Sequence, residues 1–240
     1  METNDPIDLL IKTITVSPFQ QNARVIIDPN AKKAIVIDPG DETDMILHSI
    51  DPKEIQITDI VLTHCHIDHA GGVKTLLYLI EKENLPKPKL HYHKNETPIA
   101  QAIEDYAATM NLDPNQYQNP PQPDNYLNDN DSISIGNITA KVILTPGHSP
   151  GHISLLIDPL TWQEDTYYAS QKAHSPLLIG GDVLFKGSIG RTDLPLAHHE
   201  TLIESIKTKL FTLPDTTTVF SGHGPNTTII NEKETNPFLK

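Results

Sequence analysis

The sequence predicts an α/β fold, and three observations carry that expectation. Short apolar runs alternate with stretches of helical periodicity along most of the chain. Four of the apolar runs end in glycine-bearing turns that each present a histidine or an aspartate. A length of 240 residues suits one large α/β domain, so a single domain over 1–240 is expected.

The elements follow in order. Ile11 to Val16, Val25 to Ile27 and Ala34 to Ile37 read as strands, closed by the turn signal Asp38-Pro39-Gly40. Asp41 to Ile50 is a helix candidate. Ile60 to Leu62 is a short buried strand, and the next helix spans Gly72 to Glu83, with Val73, Leu76, Leu77 and Ile80 at helical spacing. Leu90 to His93 reads as a strand and Pro98 to Met110 as a helix. Residues 113–131 are rich in Asn, Asp, Gln and Pro and read as a long surface loop. Ile133 to Leu144 forms a hairpin turning at Gly136-Asn137, and Ile153 to Ile157 a further strand. Residues 158–176 are polar without clear period and read as an insertion. His199 to Leu210 is an amphipathic helix, and the strand Thr217 to Phe220 follows it.

The chemistry is concentrated at strand ends. Thr63-His64-Cys65-His66-Ile67-Asp68-His69 puts three imidazoles and a carboxylate within six positions, directly after Ile60-Val61-Leu62. Imidazole is the commonest ligand for borderline divalent metals, and carboxylate oxygen completes such sites. One cluster cannot close two metal spheres, so further ligands must come from afar. His148 ends Val142 to Gly147, Asp182 ends Leu177 to Gly181, and His223 follows Val219 to Gly222. Any of these alone would be an ordinary turn residue; together they describe a metal cage.

Other residues have plainer readings. Cys65 faces away from its histidine neighbours in an extended segment and is expected to pack as a buried thiol. His91 and His93 alternate on a strand without a third ligand, so packing is favoured. His198-His199 begins a helix, His174 lies in the polar segment, and Lys186 is a solvated lysine. His152 follows the His148 turn and could hydrogen-bond to a ligand.

Composition removes several classes of function. A net charge of −13 argues against a nucleic-acid partner, which needs clustered Lys and Arg. No apolar run approaches the roughly 20 residues that span a bilayer. Met1 to Pro6 shows no basic region followed by an apolar one, and the single cysteine suits a reducing compartment, so a cytoplasmic location is expected. The chain has two arginines, Arg24 and Arg191, which gives their positions weight.

The ligand pattern resembles that of the metallo-β-lactamase superfamily. Within it the chain is most similar to the glyoxalase II group, the hydroxyacylglutathione hydrolases, in their short bacterial form. Five segments carry the likeness: Pro18 to Asn22, Thr145 to His152, Gly181 to Lys186, Gly187 to Asp193 and Ser221 to Pro225. The resemblance implies a four-layer αββα sandwich and two divalent metal ions, zinc first, with iron or manganese accepted by the same ligands. One ion would be held by His64, His66 and His148, the other by Asp68, His69 and His223, with Asp182 bridging. A water shared by two ions about 3.5–4 Å apart becomes hydroxide near pH 7 and could attack a thioester carbonyl. Asp68 would also orient that nucleophile, and Arg191 would hold the substrate.

The implied partner is a small-molecule thioester, S-(2-hydroxyacyl)glutathione first. Long glyoxalase II enzymes add a C-terminal helical region that helps bind glutathione; this sequence stops soon after Pro225. Two alternatives stand. An iron-dependent glutathione persulfide dioxygenase resembles the chain at Thr63 to His66 and Gly190 to Asp193, and a catalytically silent metal-binding protein would keep the ligands without turnover.

Overall fold

The computed structural model describes residues 6–240. Met1 to Asp5, most of the stretch read above for leader character, lie outside the described residues. The first half of the chain contains β1 (Leu9–Val16), β2 (Gln21–Asp28), β3 (Lys33–Ile37), α1 (Thr43–Leu47), β4 (Gln56–Val61), α2 (Ile67–Ala70), α3 (Val73–Lys82), β5 (Lys89–Tyr92), α4 (Thr97–Ala100) and α5 (Ile103–Thr109). The second contains β6 (Asn125–Tyr126), β7 (Ser132–Ile135), β8 (Ile138–Leu144), β9 (Ile153–Asp165), β10 (Ser170–Gly181), β11 (Leu184–Phe185), β12 (Ser188–Ile189), α6 (His199–Thr208), β13 (Thr218–Ser221), β14 (Thr227–Thr228) and α7 (Ile229–Thr235).

Strand pairing runs β14-β13-β10-β9-β1-β2-β3-β4-β5-β6, with β7 and β8 attached beside β9. The long β9 is the joint: its first part pairs antiparallel with β8, and its last residues, Trp162 to Asp165, run parallel to Leu9–Lys12 of β1. Three core clusters fix the layers. Ile11, Ile26 and Ile37 of the first half meet Val142, Leu155 and Ile179 of the second, so the two sheet halves face each other. On the outer face of the first half, Val25, Val36 and Ile60 pack against Ile46 of α1, Leu76 of α3 and Ile103 of α5. On the outer face of the second, Leu178 and Val219 pack against Leu202 of α6 and Ile229 of α7. Successive residues of β2 thus point into different cores, as a period of two requires, and all eight are buried. The result is helix, sheet, sheet, helix, as the resemblance implies.

Three sequence expectations are corrected. Residues 158–176, read as polar without clear period, are regular strand: β9 and β10 continue through them as a hairpin that turns at Thr166–Ala169. Its alternation was hidden because Gln171 and Lys172 face solvent while Trp162 and Glu164 are buried, and Pro176 marks a register shift between Ser175 and Leu177. The helix expected over Pro98 to Met110 is two, separated where Ala102 leaves helical geometry at φ −107 and ψ 3. The 113–131 loop is tethered: buried Asp41 accepts hydrogen bonds from Gln116 and Tyr117, and Asn125–Tyr126 pair with β5. Among the described residues no helix is long and apolar enough to cross a membrane.

Candidate metal centre

All seven predicted ligands converge at one end of the two facing sheets. β4 leads into His64 and His66, and α2 carries Asp68 and His69. The turns after β8, β10 and β13 bring His148, Asp182 and His223. Such closeness demands glycine. A Cβ on Gly40 would lie 1.6 Å from the Asp68 carbonyl oxygen, and one on Gly222 would lie 2.1 Å from Asp182 Oδ1.

Three groups of three possible ligand atoms lie within 4.8 Å of one another, and two are the predicted sets, His64, His66 and His148, and Asp68, His69 and His223; the remaining group joins Asp38 to His64 and His69. In the first, His148 Nε2 lies 2.9 Å from His66 Nδ1 and 3.2 Å from His64 Nε2. In the second, Asp68 Oδ2 lies 3.1 Å from His223 Nε2 and 3.7 Å from His69 Nε2. Asp182 stands between them, with Oδ1 3.5 Å from His69 Nε2 and Oδ2 3.7 Å from His148 Nε2 and 3.5 Å from His223 Nε2.

The rings are aimed by their other nitrogens. Nδ1 of His148 donates to the Arg191 carbonyl at 2.8 Å, that of His223 to the Phe19 carbonyl at 3.1 Å, and that of His69 to Asp38 at 2.9 Å. His64 Nδ1 meets Thr63 Oγ1 at 3.1 Å. Each of these four rings therefore turns Nε2 inward, the arrangement that sets tautomer and direction in metal-binding histidines.

Electrostatics favours a cation here. Burial and the neighbouring imidazoles hold His64 well below the usual histidine range, and burial with His148 nearby pushes His66 down to about 3. These rings are neutral with lone pairs available. On the other side burial opposes charge on His69, but Asp182, Asp68 and Asp38 outweigh it and raise its pKa well above normal. Burial likewise works against the Asp182 carboxylate, yet His69 and its neighbours hold it far below the usual range. His69 Nε2 and Asp182 Oδ1 are buried with no hydrogen-bond partner, which native interiors rarely tolerate. A divalent ion would satisfy both, so the residues fit the metals the sequence implied.

Known proteins agree. Residues 16–167 match the family model described as the metallo-beta-lactamase superfamily. The chain belongs to that superfamily. It is 35% identical over 230 residues to a probable metallo-hydrolase of Bacillus subtilis, YqgX, covering 95% of this chain and 96% of that one. It is 33% identical over 230 residues to the hydroxyacylglutathione hydrolase GloC of Haemophilus influenzae, covering 95% and 97%. Among solved structures, the di-iron-bound form of TTHA1623 superposes with a TM-score of 0.72 at 33% identity, covering 95% of this chain and 99% of that one. The αββα arrangement is thus the metallo-β-lactamase fold, and two of the relatives are named as a probable metallo-hydrolase and a hydroxyacylglutathione hydrolase.

Other expectations can be placed. Cys65 is fully buried in the core, and burial raises its thiol pKa well above normal. His91 pairs with Asp59 at 2.7 Å, and His93 Nδ1 accepts from Asn95 N. His152 fixes the turn that carries Asp182: its Nε2 accepts from the Asp182 backbone N–H at 3.0 Å, while its other nitrogen meets Thr145 Oγ1. Arg24 is buried and donates to the Ser221 carbonyl at 2.8 Å, steadying the strand that precedes His223. Arg191 lines the cavity beside the ligands, but its fork grips Asp193 through Nε at 2.7 Å and Nη2 at 2.8 Å.

Two residues escaped the sequence reading. Asp38 accepts from Thr63 N at 2.7 Å and Thr63 Oγ1 at 2.6 Å, besides His69, and sits at a strained φ of 50. Its Asp-Pro-Gly context was legible only as a turn. Fully buried Glu96 accepts from Cys65 N at 2.8 Å, Ser149 Oγ at 2.7 Å and Gly151 N at 2.6 Å. It ties the His64–His66 loop to the His148 loop, and nothing in its local sequence announces this.

Proposed function

We propose that the protein is a metal-dependent thioester hydrolase with two divalent ions, one held by His64, His66 and His148 and the other by Asp68, His69 and His223. The observation that carries this reading is the placement of Asp182, whose two oxygens face both groups within 3.7 Å. When bound, the ions would supply hydroxide near neutral pH by lowering the pKa of a water to about 7, and would polarise the thioester carbonyl. Asp68, partly open to the cavity, is placed to orient the attacking oxygen while its Oδ2 stays against His223. A thiolate leaves readily, so no general acid beyond these residues is required.

Zinc is the first choice of metal, and iron is supported by the di-iron-bound relative. S-(2-hydroxyacyl)glutathione is the first substrate to try, supported by the name of the Haemophilus relative and by Arg191 on the cavity wall. A centre drawn from both chain halves supports a single domain over 1–240. The test combines metal analysis of the purified protein with S-lactoylglutathione turnover under argon and in air. Two ions per chain and equal rates are expected. One iron per chain, with oxygen uptake on glutathione persulfide and no thioester cleavage under argon, would overturn the reading in favour of a dioxygenase. Full metal loading without turnover of any thioester would leave a metal-binding protein.

A further inference from the structure

The ligand cluster opens into a cavity of about 620 Å³, within the range of about 300–1,000 Å³ usual for small-molecule sites. Its walls away from the ligands are mostly apolar, formed by Phe19, Ile99, Ile103, Phe185, Leu194 and Leu196, with Tyr106, Ser188 and Arg191 among them. Among the described residues lining it, Arg191 carries the one fixed positive charge, and that charge is already engaged by Asp193. With that charge shared with Asp193, the lining beyond the metal centre offers more to hydrocarbon than to a carboxylate. Leu196 adds a second indication. It is 59% exposed and held at φ 66, a backbone region that a branched side chain avoids. Such strain persists where the surrounding structure imposes it, and it clusters at ligand sites.

Biological thiol carriers are polar or charged, so the half of a thioester that matches this wall is the acyl half. The lactoyl group is small and carries a hydroxyl; it leaves the wall uncovered. We propose that the cavity receives an apolar acyl chain, so that the enzyme hydrolyses thioesters of hydrophobic acids in preference to 2-hydroxyacyl ones. This rests on the hydrolase reading and narrows its substrate class. Water adds to the acyl carbonyl carbon, the carbon–sulfur bond breaks, and the products are a carboxylate, a thiol and a proton.

The experiment holds the thiol constant and varies the acyl group: lactoyl-, butanoyl- and hexanoylglutathione with the metal-loaded enzyme. Each methylene buried should raise kcat/KM about fourfold, so hexanoyl should exceed lactoyl by at least tenfold. Leu196→Asn, which suits a left-handed backbone, and Ile99→Thr should each lower the hexanoyl-to-lactoyl ratio severalfold. Binding of S-methyl- and S-hexylglutathione, measured by calorimetry, reads the same wall without turnover, and the hexyl compound should bind at least tenfold tighter. Equal affinities, a flat or lactoyl-favouring rate series, or a ratio unmoved by both variants would overturn the acyl-wall proposal. Tighter hexyl binding with no thioester cleaved would instead overturn the hydrolase reading and leave the apolar subsite standing.

Discussion

Replacing Glu96 with alanine is expected to destabilise the protein on the order of 3–5 kcal/mol. The figure follows from what the carboxylate holds. Its Oε1 accepts from Ser149 Oγ and Gly151 N, its Oε2 accepts from Cys65 N, and the residue is fully buried. Alanine strands all three donors, and each unpaired buried donor costs about 1–3 kcal/mol. The upper end of that sum is not reached, because removing a buried charge recovers part of its desolvation cost. Glu96→Gln keeps the shape but turns an NH₂ toward one of the donors, so on the order of 2 kcal/mol is expected. Urea unfolding at pH 7 measures both variants, with the slope checked against the parent protein so that the midpoint reports stability. Metal content should fall as well, because Glu96 joins the loops that bring His64 and His66 to His148. An alanine variant within about 1 kcal/mol of the parent would refute the clamp, since a solvated glutamate would behave that way.

Asp182→Asn should keep the fold but lower metal stoichiometry from two toward one and cut activity on the order of 10²-fold or more, judged against the losses caused by altering residues that merely support ligands; elemental analysis with unchanged stoichiometry and rate would remove its bridging role. Arg191→Ala should raise KM for anionic glutathione thioesters and leave an uncharged thioester unaffected, whereas Asp193→Asn, which frees the guanidinium, should lower KM for the anionic ones; equal effects on both substrate types would exclude charge recognition. Asp59 bears on pH. Burial opposes its charge, but hydrogen bonds from His91 and Thr58 outweigh that and hold its pKa below the ordinary 3.8. Its contribution is therefore present above about pH 4 and is lost as pH falls through the depressed value. Asp59→Asn should flatten that part of the stability profile relative to the parent, and identical profiles in acid urea titrations would show the pair contributes nothing.

His64, His66, Asp68 and His69 were legible in the sequence because they share one loop, where spacing along the chain sets spacing in space. His148, Asp182 and His223 were legible for a related reason: each ends an apolar strand in a glycine turn, and strands of one sheet end together. Cys65 could be set aside from its place between two predicted ligands, and the apolar run Val25 to Ile27 already implied a strand.

Tertiary structure decided the remainder. Asp38 and Glu96 are lone acids in sequence, and only the meeting of separate loops gives them three acceptor contacts each. The 158–176 hairpin showed no clear period in sequence because the strand that pairs with it is β1, about 150 positions away along the chain. Arg191 could be placed near the ligands, but its engagement by Asp193 depends on side-chain direction. The apolar wall is drawn from segments between Phe19 and Leu196 that no local pattern connects. Sequence specifies contacts wherever the backbone period alone determines direction; partners brought together by strand register and loop closure exist only once the chain has folded.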